Sequence, residues 1–140
     1  MYRKIIVPVE LGAIEKGERI LRKAAKLLDA PGQIILLNVV ENMPSYVAVD
    51  LPPDVMEDAM DDGRARLEQL KIKTGITASV EIRAGPPANG ILAAAEEHDA
   101  DLVIIASHIP DFSNYFIGAT ADRVVRHAKC SVLVDRQREH

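Results

Sequence analysis

Residues 101–135, DLVIIASHIPDFSNYFIGATADRVVRHAKCSVLVD, decide the fold. They predict an apolar strand over 102–106, a polar loop over 107–117, an amphipathic helix over 118–129 and a second apolar strand over 131–134. Gly118 opens the helix. Backbone N–H groups and the helix dipole at such a position attract anions. A glycine that only eases a tight helix entry explains the pattern equally well, so both interpretations stay open.

The remainder of the chain also alternates strands with helices. Continuous apolar runs at 4–9 and 33–40 indicate strands buried on both faces, whereas strict alternation over 76–84 indicates an edge strand with one wet face. Helical patterns separate these strands, and parallel strands need right-handed crossovers. The sequence therefore predicts an α/β, Rossmann-like fold with an open, doubly wound, five-stranded parallel sheet in the order 3-2-1-4-5.

Composition narrows the class of protein. At 140 residues with a net charge of −4, the chain is expected to form a single domain, 1–140, without nucleic-acid binding. The basic residues Arg19, Arg22, Lys23 and Lys26 fall on helical positions and predict a solvated face. No signal peptide is visible, and no apolar run approaches the about 20 residues that span a membrane. We expect a cytoplasmic protein.

The segment 41–53 has an unusual composition. It contains three prolines among apolar residues, so it either folds over a site or packs against a partner, with equal weight. Asp54 then begins a helix, and Glu57 three residues later predicts a capping box.

The predicted strand order places a ligand site between the first and fourth strands. Ligands of such sheets bind outside the carboxyl ends of the strands where the order reverses. The loops there begin at Glu10 and at Ser107. Glu10 suits a ribose hydroxyl or simple solvation, and His108 suits a phosphate, a proton transfer or a bond to nearby backbone. Nucleophile-elbow, P-loop and zinc-protease motifs are absent from the sequence.

Two stretches carry a family resemblance. The segment IIASHIPDFSNYFIGATADRVVRHAKCSVLVD resembles the C-terminal signature of the universal stress protein family, and KIIVPVE at 4–10 looks like its first strand. The form ASHIPD is similar to the small bacterial F/G-type members. The resemblance implies a dimeric, adenine-nucleotide alpha-hydrolase-like fold that in one branch binds ATP, with Mg2+ as an optional companion.

The family's ATP-binding branch carries the pattern G-x2-G-x9-G-S/T. Here Ala106 and Ile109 replace the first two glycines, Gly118 follows one residue early, and Ala119 replaces the hydroxyl residue, with Thr120 next. The resemblance implies adenine, ribose and phosphate contacts, in that order, from three sets of residues. These are Pro8, Val9, Val39 and Ile105; Glu10 and Ala106; and Ser107, His108, Gly118, Ala119 and Thr120.

Three functional hypotheses follow. The first is an ATP-binding regulatory stress protein that dimerises through Val132, Leu133 and Val134 of the last strand. The second is a family member without nucleotide that acts as a dimeric interaction scaffold. The third is a slow phosphohydrolase using His108 or Glu10. A fast enzyme is not expected, and slow ATP hydrolysis or autophosphorylation stays open.

Overall fold

The computed structural model describes residues 1–41, 54–107 and 118–136, along which strands and helices alternate. The strands are β1 (Tyr2–Pro8), β2 (Leu28–Val40), β3 (Ser79–Ala84), β4 (Leu102–Ala106) and β5 (Ser131–Asp135). The helices are α1 (Ile14–Leu27), α2 (Val55–Thr74), α3 (Pro87–Glu97) and α4 (Ala119–His127), and a 3-10 turn over Leu11–Ala13 precedes α1. None of the helices in these ranges is long and apolar enough to cross a bilayer.

The five strands form one parallel sheet in the order β3-β2-β1-β4-β5, which confirms the predicted topology. Strand β2 begins at Leu28 rather than at residue 33, because Leu28 already pairs with Tyr2 before the register shifts. Strand β3 begins at Ser79 rather than at residue 76. These differences affect only the ends of the strands.

Each face of the sheet carries its own hydrophobic core. On one face, Ile20 and Leu21 of α1 and Leu67 of α2 pack with a cluster that includes Ile5 and Leu36. On the other face, helices α3 and α4 pack against the alternate strand residues, among them Ile6, Leu37 and Val103. Each fully buried aliphatic side chain contributes about 1.5–3 kcal/mol relative to exposure. The sheet is therefore covered on both faces, as predicted.

Three local predictions about helices are wrong. Asp54 does precede α2, but its side chain makes no capping hydrogen bond, so the capping box is not formed. Helix α4 ends at His127 instead of residue 129, because Ala128 already adopts extended backbone angles. The amphipathic pattern predicted for this helix also fails at the apolar residue Val125, which is 45% exposed while Val124 is fully buried.

Ion pairs to a buried carboxylate connect α1 to the end of β5. Asp135 is only 4% exposed, and Arg19 Nε donates to its Oδ2 at 2.8 Å while Lys23 Nζ pairs with Oδ1. Burial by itself would raise the pKa of Asp135, but hydrogen bonds from Lys23 and Arg19 hold that pKa below its usual value. The predicted solvated basic face is thus only partly right for Arg19 and Lys23, whose side chains stay 35% and 42% exposed but pair with a buried carboxylate.

Two helical glycines let α1 and α3 approach the carboxyl ends of the strands. A Cβ added at Gly17 would lie 2.6 Å from Val9 Cγ1, and one added at Gly90 would lie 2.7 Å from Val39 Cγ2. Any other residue would force the helix away from the strand, because protein interiors leave no space for an additional carbon.

Replacing the buried carboxylate tests the ion pairs to Asp135. We expect Asp135→Asn to lower the free energy of unfolding at neutral pH by about 1–3 kcal/mol, less than for a fully buried pair because both cations are partly exposed. The folded-state pKa lies below the ordinary 3.8. The carboxylate's contribution is therefore complete at neutral pH and is lost as pH falls through that lowered value.

Urea unfolding of the wild type and Asp135→Asn across a pH series checks this expectation. The stability difference should shrink below about pH 4. Asp122→Asn is the control, because Asp122 forms an exposed pair with Arg126 one helical turn away. It should cost at most about 1 kcal/mol. A gap between the wild type and Asp135→Asn that stays constant into acid would contradict the assignment.

Gly17→Ala tests the close approach of α1. Alanine favours the helix by about 1 kcal/mol, but the clash with Val9 should outweigh that gain and lower the free energy of unfolding by a net of about 1–2 kcal/mol. Gly12→Ala is the matched control, since nothing lies within 4 Å of its added Cβ. Chemical denaturation measures both. A Gly17→Ala protein as stable as the wild type would show that the contact with Val9 does not limit the size of the residue at position 17.

Candidate functional site

A cavity of about 500 Å³ lies at the carboxyl ends of β1, β2 and β4. Its walls also include residues from the start of α1, the middle of α2 and the starts of α3 and α4. This is the point where the strand order reverses, so it coincides with the position predicted for a ligand. The volume falls within the range usual for small-molecule sites.

Most of the residues expected at the site line this cavity. They are Pro8, Val9, Glu10, Val39, Ile105, Ala106, Gly118, Ala119 and Thr120. Ser107 does not line it, but follows Ala106 directly at its edge. The expected His108 and Ile109 lie outside the described residues, as does the segment 42–53. Residues far apart in sequence thus meet around one space.

One part of the cavity is apolar. Val9, Val39 and Ile105 line it together with Leu37 and Ile91, which the sequence interpretation did not include. The Val9 N–H donates to the Leu37 carbonyl at 2.8 Å, so the hydrogen bonding between β1 and β2 continues as far as the cavity. Apolar walls with few polar groups suit a flat aromatic ring.

Asn38 supplies a buried polar group beside these walls. It is 5% exposed, lines the cavity, and donates from Nδ2 to the Val9 carbonyl at 2.9 Å. Its Oδ1 atom has no hydrogen-bond partner among the residues that the structure describes. A buried acceptor without a partner costs about 1–3 kcal/mol. Sequence patterning missed Asn38 because it lies within a strand that reads as continuously apolar.

The first turn of α4 faces the same cavity. Gly118 precedes the helix with extended angles (φ −58°, ψ 161°), and within the described parts of the chain no side chain caps the helix start. A Cβ at Gly118 would meet no atom of the described residues within 4 Å, so these residues leave the approach to this turn open. The first N–H groups of a helix have no partner within the helix. They are available to an anion.

The charges around the cavity are unequal. Among the described residues, the lining contains the carboxylates of Glu10, Glu41 and Asp62 and a single cation, Lys16. Lys16 Nζ donates to the Ser107 carbonyl at 3.1 Å, which joins α1 to the end of β4. Sequence reasoning considered only cations near Gly118 and missed Lys16. Its position in the first turn of α1, just after the loop that follows β1, could have identified it.

Arg66 of α2 holds the 3-10 turn that connects β1 to α1. Its Nη2 atom donates to the Leu11 carbonyl at 3.0 Å, and the Ala13 N–H donates to the Glu10 carbonyl at 3.0 Å. These bonds hold the 3-10 turn Leu11–Ala13 in place. Leu11 and Ala13 both line the cavity, so α2 helps to define its rim.

Sequence comparison finds a family and relatives of similar length. Residues 1–136 match the universal stress protein family. Universal stress protein G of Salmonella typhimurium is 32% identical over 142 residues, covering 97% of this chain and 100% of the relative. Universal stress protein A homolog 2 of Coxiella burnetii is 30% identical and covers 96% of this chain and 95% of the relative.

Solved structures share the fold. Hypothetical protein MJ0577 superposes with a TM-score of 0.80 at 21% identity, covering 100% of this chain and 99% of that chain. A universal stress protein from Archaeoglobus fulgidus in complex with dAMP has a TM-score of 0.61 at 20% identity, covering 95% and 97%. An Arabidopsis thaliana family member with AMP bound has a TM-score of 0.62 at 16% identity, covering 97% and 92%.

The fold, the position of the cavity and the comparisons lead to the same family. With a match over residues 1–136 and a relative of equal extent at 32% identity, this chain belongs to the universal stress protein family.

Proposed function

We propose that this chain binds an adenine nucleotide in the switch-point cavity and acts as a regulatory stress-response protein of the cytoplasm. One observation carries the proposal: an apolar compartment and a helix N-terminus that no described side chain caps open into the same cavity. The apolar compartment suits an adenine base, and the N-terminus of α4 suits a phosphate.

The residues available match the parts of such a ligand. Val39 and Ile105 offer apolar contact to a base, and the carboxylate of Glu10 offers an acceptor to ribose hydroxyls. The start of α4 offers backbone donors to phosphate. Family members solved with AMP and dAMP support an adenine nucleotide as the ligand class.

More specifically, we propose that the nucleotide is ATP in complex with Mg2+. The carboxylates of Glu10, Glu41 and Asp62 would repel a triphosphate that carries no metal ion. The described residues include no group of three His, Cys, Asp or Glu side chains that could hold a metal. Mg2+ usually takes most of its ligands from phosphates and water. We therefore expect ATP to bind as its magnesium complex.

The proposal includes a homodimer through β5. The two edges of the sheet differ, because β3 carries the charged side chains of Glu81 and Arg83 whereas β5 carries Val132, Leu133 and Val134. Charged residues protect an edge strand from pairing, and an apolar edge favours it. The only charged residue of β5, Asp135, is already paired within the chain.

A scaffold without nucleotide is the second candidate function. The observation that favours it is the side chain of Ala106, which lines the cavity where the family pattern has glycine and narrows the approach to the phosphate site. Such a protein would keep the β5 dimer and lose measurable affinity for nucleotides.

Isothermal titration calorimetry with AMP, and with ATP in the presence and absence of Mg2+, tests the nucleotide site. We expect Gly118→Val to weaken binding by about tenfold or more, because the added carbons occupy cavity space and the Cβ meets no described atom within 4 Å. The melting temperature should stay within about 4 °C of the wild type.

Gly12→Val is the matched control, since its added Cβ also meets nothing within 4 Å and Gly12 does not line the cavity. It should bind nucleotide like the wild type. Saturation by neither AMP nor Mg-ATP in the wild type would favour the scaffold instead.

Sedimentation across a wide range of protein concentrations tests the dimer. We expect the wild type to sediment as a dimer and Leu133→Asp to shift toward monomer, because a charge on the edge strand opposes pairing. Ile72→Asp is the control, as Ile72 lies on α2 and is 80% exposed. A monomeric wild type at every concentration would count against the β5 interface, and circular dichroism would establish that the variants are folded.

A further inference from the structure

Lys16 occupies a particular place on α1. The helix carries three cations on the side that faces the carboxyl ends of β4 and β5, namely Lys16, Arg19 and Lys23. Arg19 and Lys23 both pair with the buried carboxylate of Asp135. Lys16 forms no ion pair of this kind within the described parts of the chain.

The ammonium of Lys16 is held at the cavity rather than extended into water. Its Nζ donates to the Ser107 carbonyl at 3.1 Å, and the side chain is partly buried. An ammonium has three N–H donors, so this bond leaves two for another acceptor. The next residue, Gly17, lies directly against Val9, which keeps the base of the Lys16 side chain close to the sheet.

Among the described residues, no second positive side chain lines the cavity. Lys16 is the one cation among the described lining residues. The stretches 42–53 and 108–117 contain no lysine or arginine in the sequence. A phosphate at the start of α4 would therefore find one ammonium, across the cavity on α1, and backbone donors on α4.

We propose that Lys16 is the phosphate-binding cation of this site. The proposal rests on the proposed nucleotide function and makes it specific. The ligand is an adenosine 5′-phosphate whose phosphate lies between the N-terminal turn of α4 and the Lys16 ammonium. Ser107 keeps one of the three donors and thereby aims the other two, so its carbonyl is a positioning group.

The test compares AMP with adenosine, which share every group except the phosphate. In Lys16→Gln we expect the affinity for AMP to fall by about tenfold or more, while the affinity for adenosine stays within about twofold. Lys16→Arg should retain most of the AMP affinity, because it keeps the charge and donors. Lys26→Gln is the matched control, a neutralised lysine in the last turn of the same helix.

The outcomes separate the two proposals. Equal AMP affinity in the wild type and Lys16→Gln would overturn the role of Lys16 and leave the nucleotide function intact. An equal loss of AMP and adenosine would also overturn it, since Lys16 would then only shape the loop. If the wild type binds neither ligand, the nucleotide function fails. The phosphate-binding role of Lys16 is then tested with inorganic pyrophosphate. Thermal stabilisation by pyrophosphate that Lys16→Gln abolishes would support it, whereas no stabilisation of the wild type would overturn it.

Discussion

The close contact between the N-terminal turns of α1 and α3 and the carboxyl ends of the central strands is the constraint on which the site depends. Gly17 lies against Val9 and Gly90 lies against Val39, with no space for a Cβ at either contact. Val9 and Val39 are themselves walls of the cavity. A larger residue at either glycine would displace the valine that it touches. The shape of the cavity therefore depends on the absence of a Cβ atom at these two positions.

Helix α1 joins the site to the stability of the whole fold. Its apolar side, including Ile20 and Leu21, builds one core, and its basic side holds Asp135 at the end of the last strand. Lys16, one turn before Arg19, continues the same side to the cavity. Because one rigid helix makes these contacts, a change in the packing of α1 would also move the Lys16 ammonium relative to α4.

Most of the architecture was predictable from local patterns. The strand order and the two-sided covering of the sheet followed from the apolar runs and the wet edge strand, and nine expected residues line the cavity: Pro8, Val9, Glu10, Val39, Ile105, Ala106, Gly118, Ala119 and Thr120. The errors are local, as with Val125, whose periodicity places it beside Val124 although the helix presents it to water. The capping box at Asp54 failed because a suitable spacing does not guarantee the hydrogen bond.

The sequence by itself determined the class of fold, the order of the strands and the end of the sheet at which the cavity lies. Those properties follow from periodicity and chain chirality, which act over short stretches. Only the tertiary structure decided which polar groups meet at that place. Lys16 and Ser107 meet there although they are 91 residues apart, and away from the cavity Lys23 and Asp135 pair across 112 residues. Such pairs depend on the register between a helix and distant strands, which no local pattern specifies.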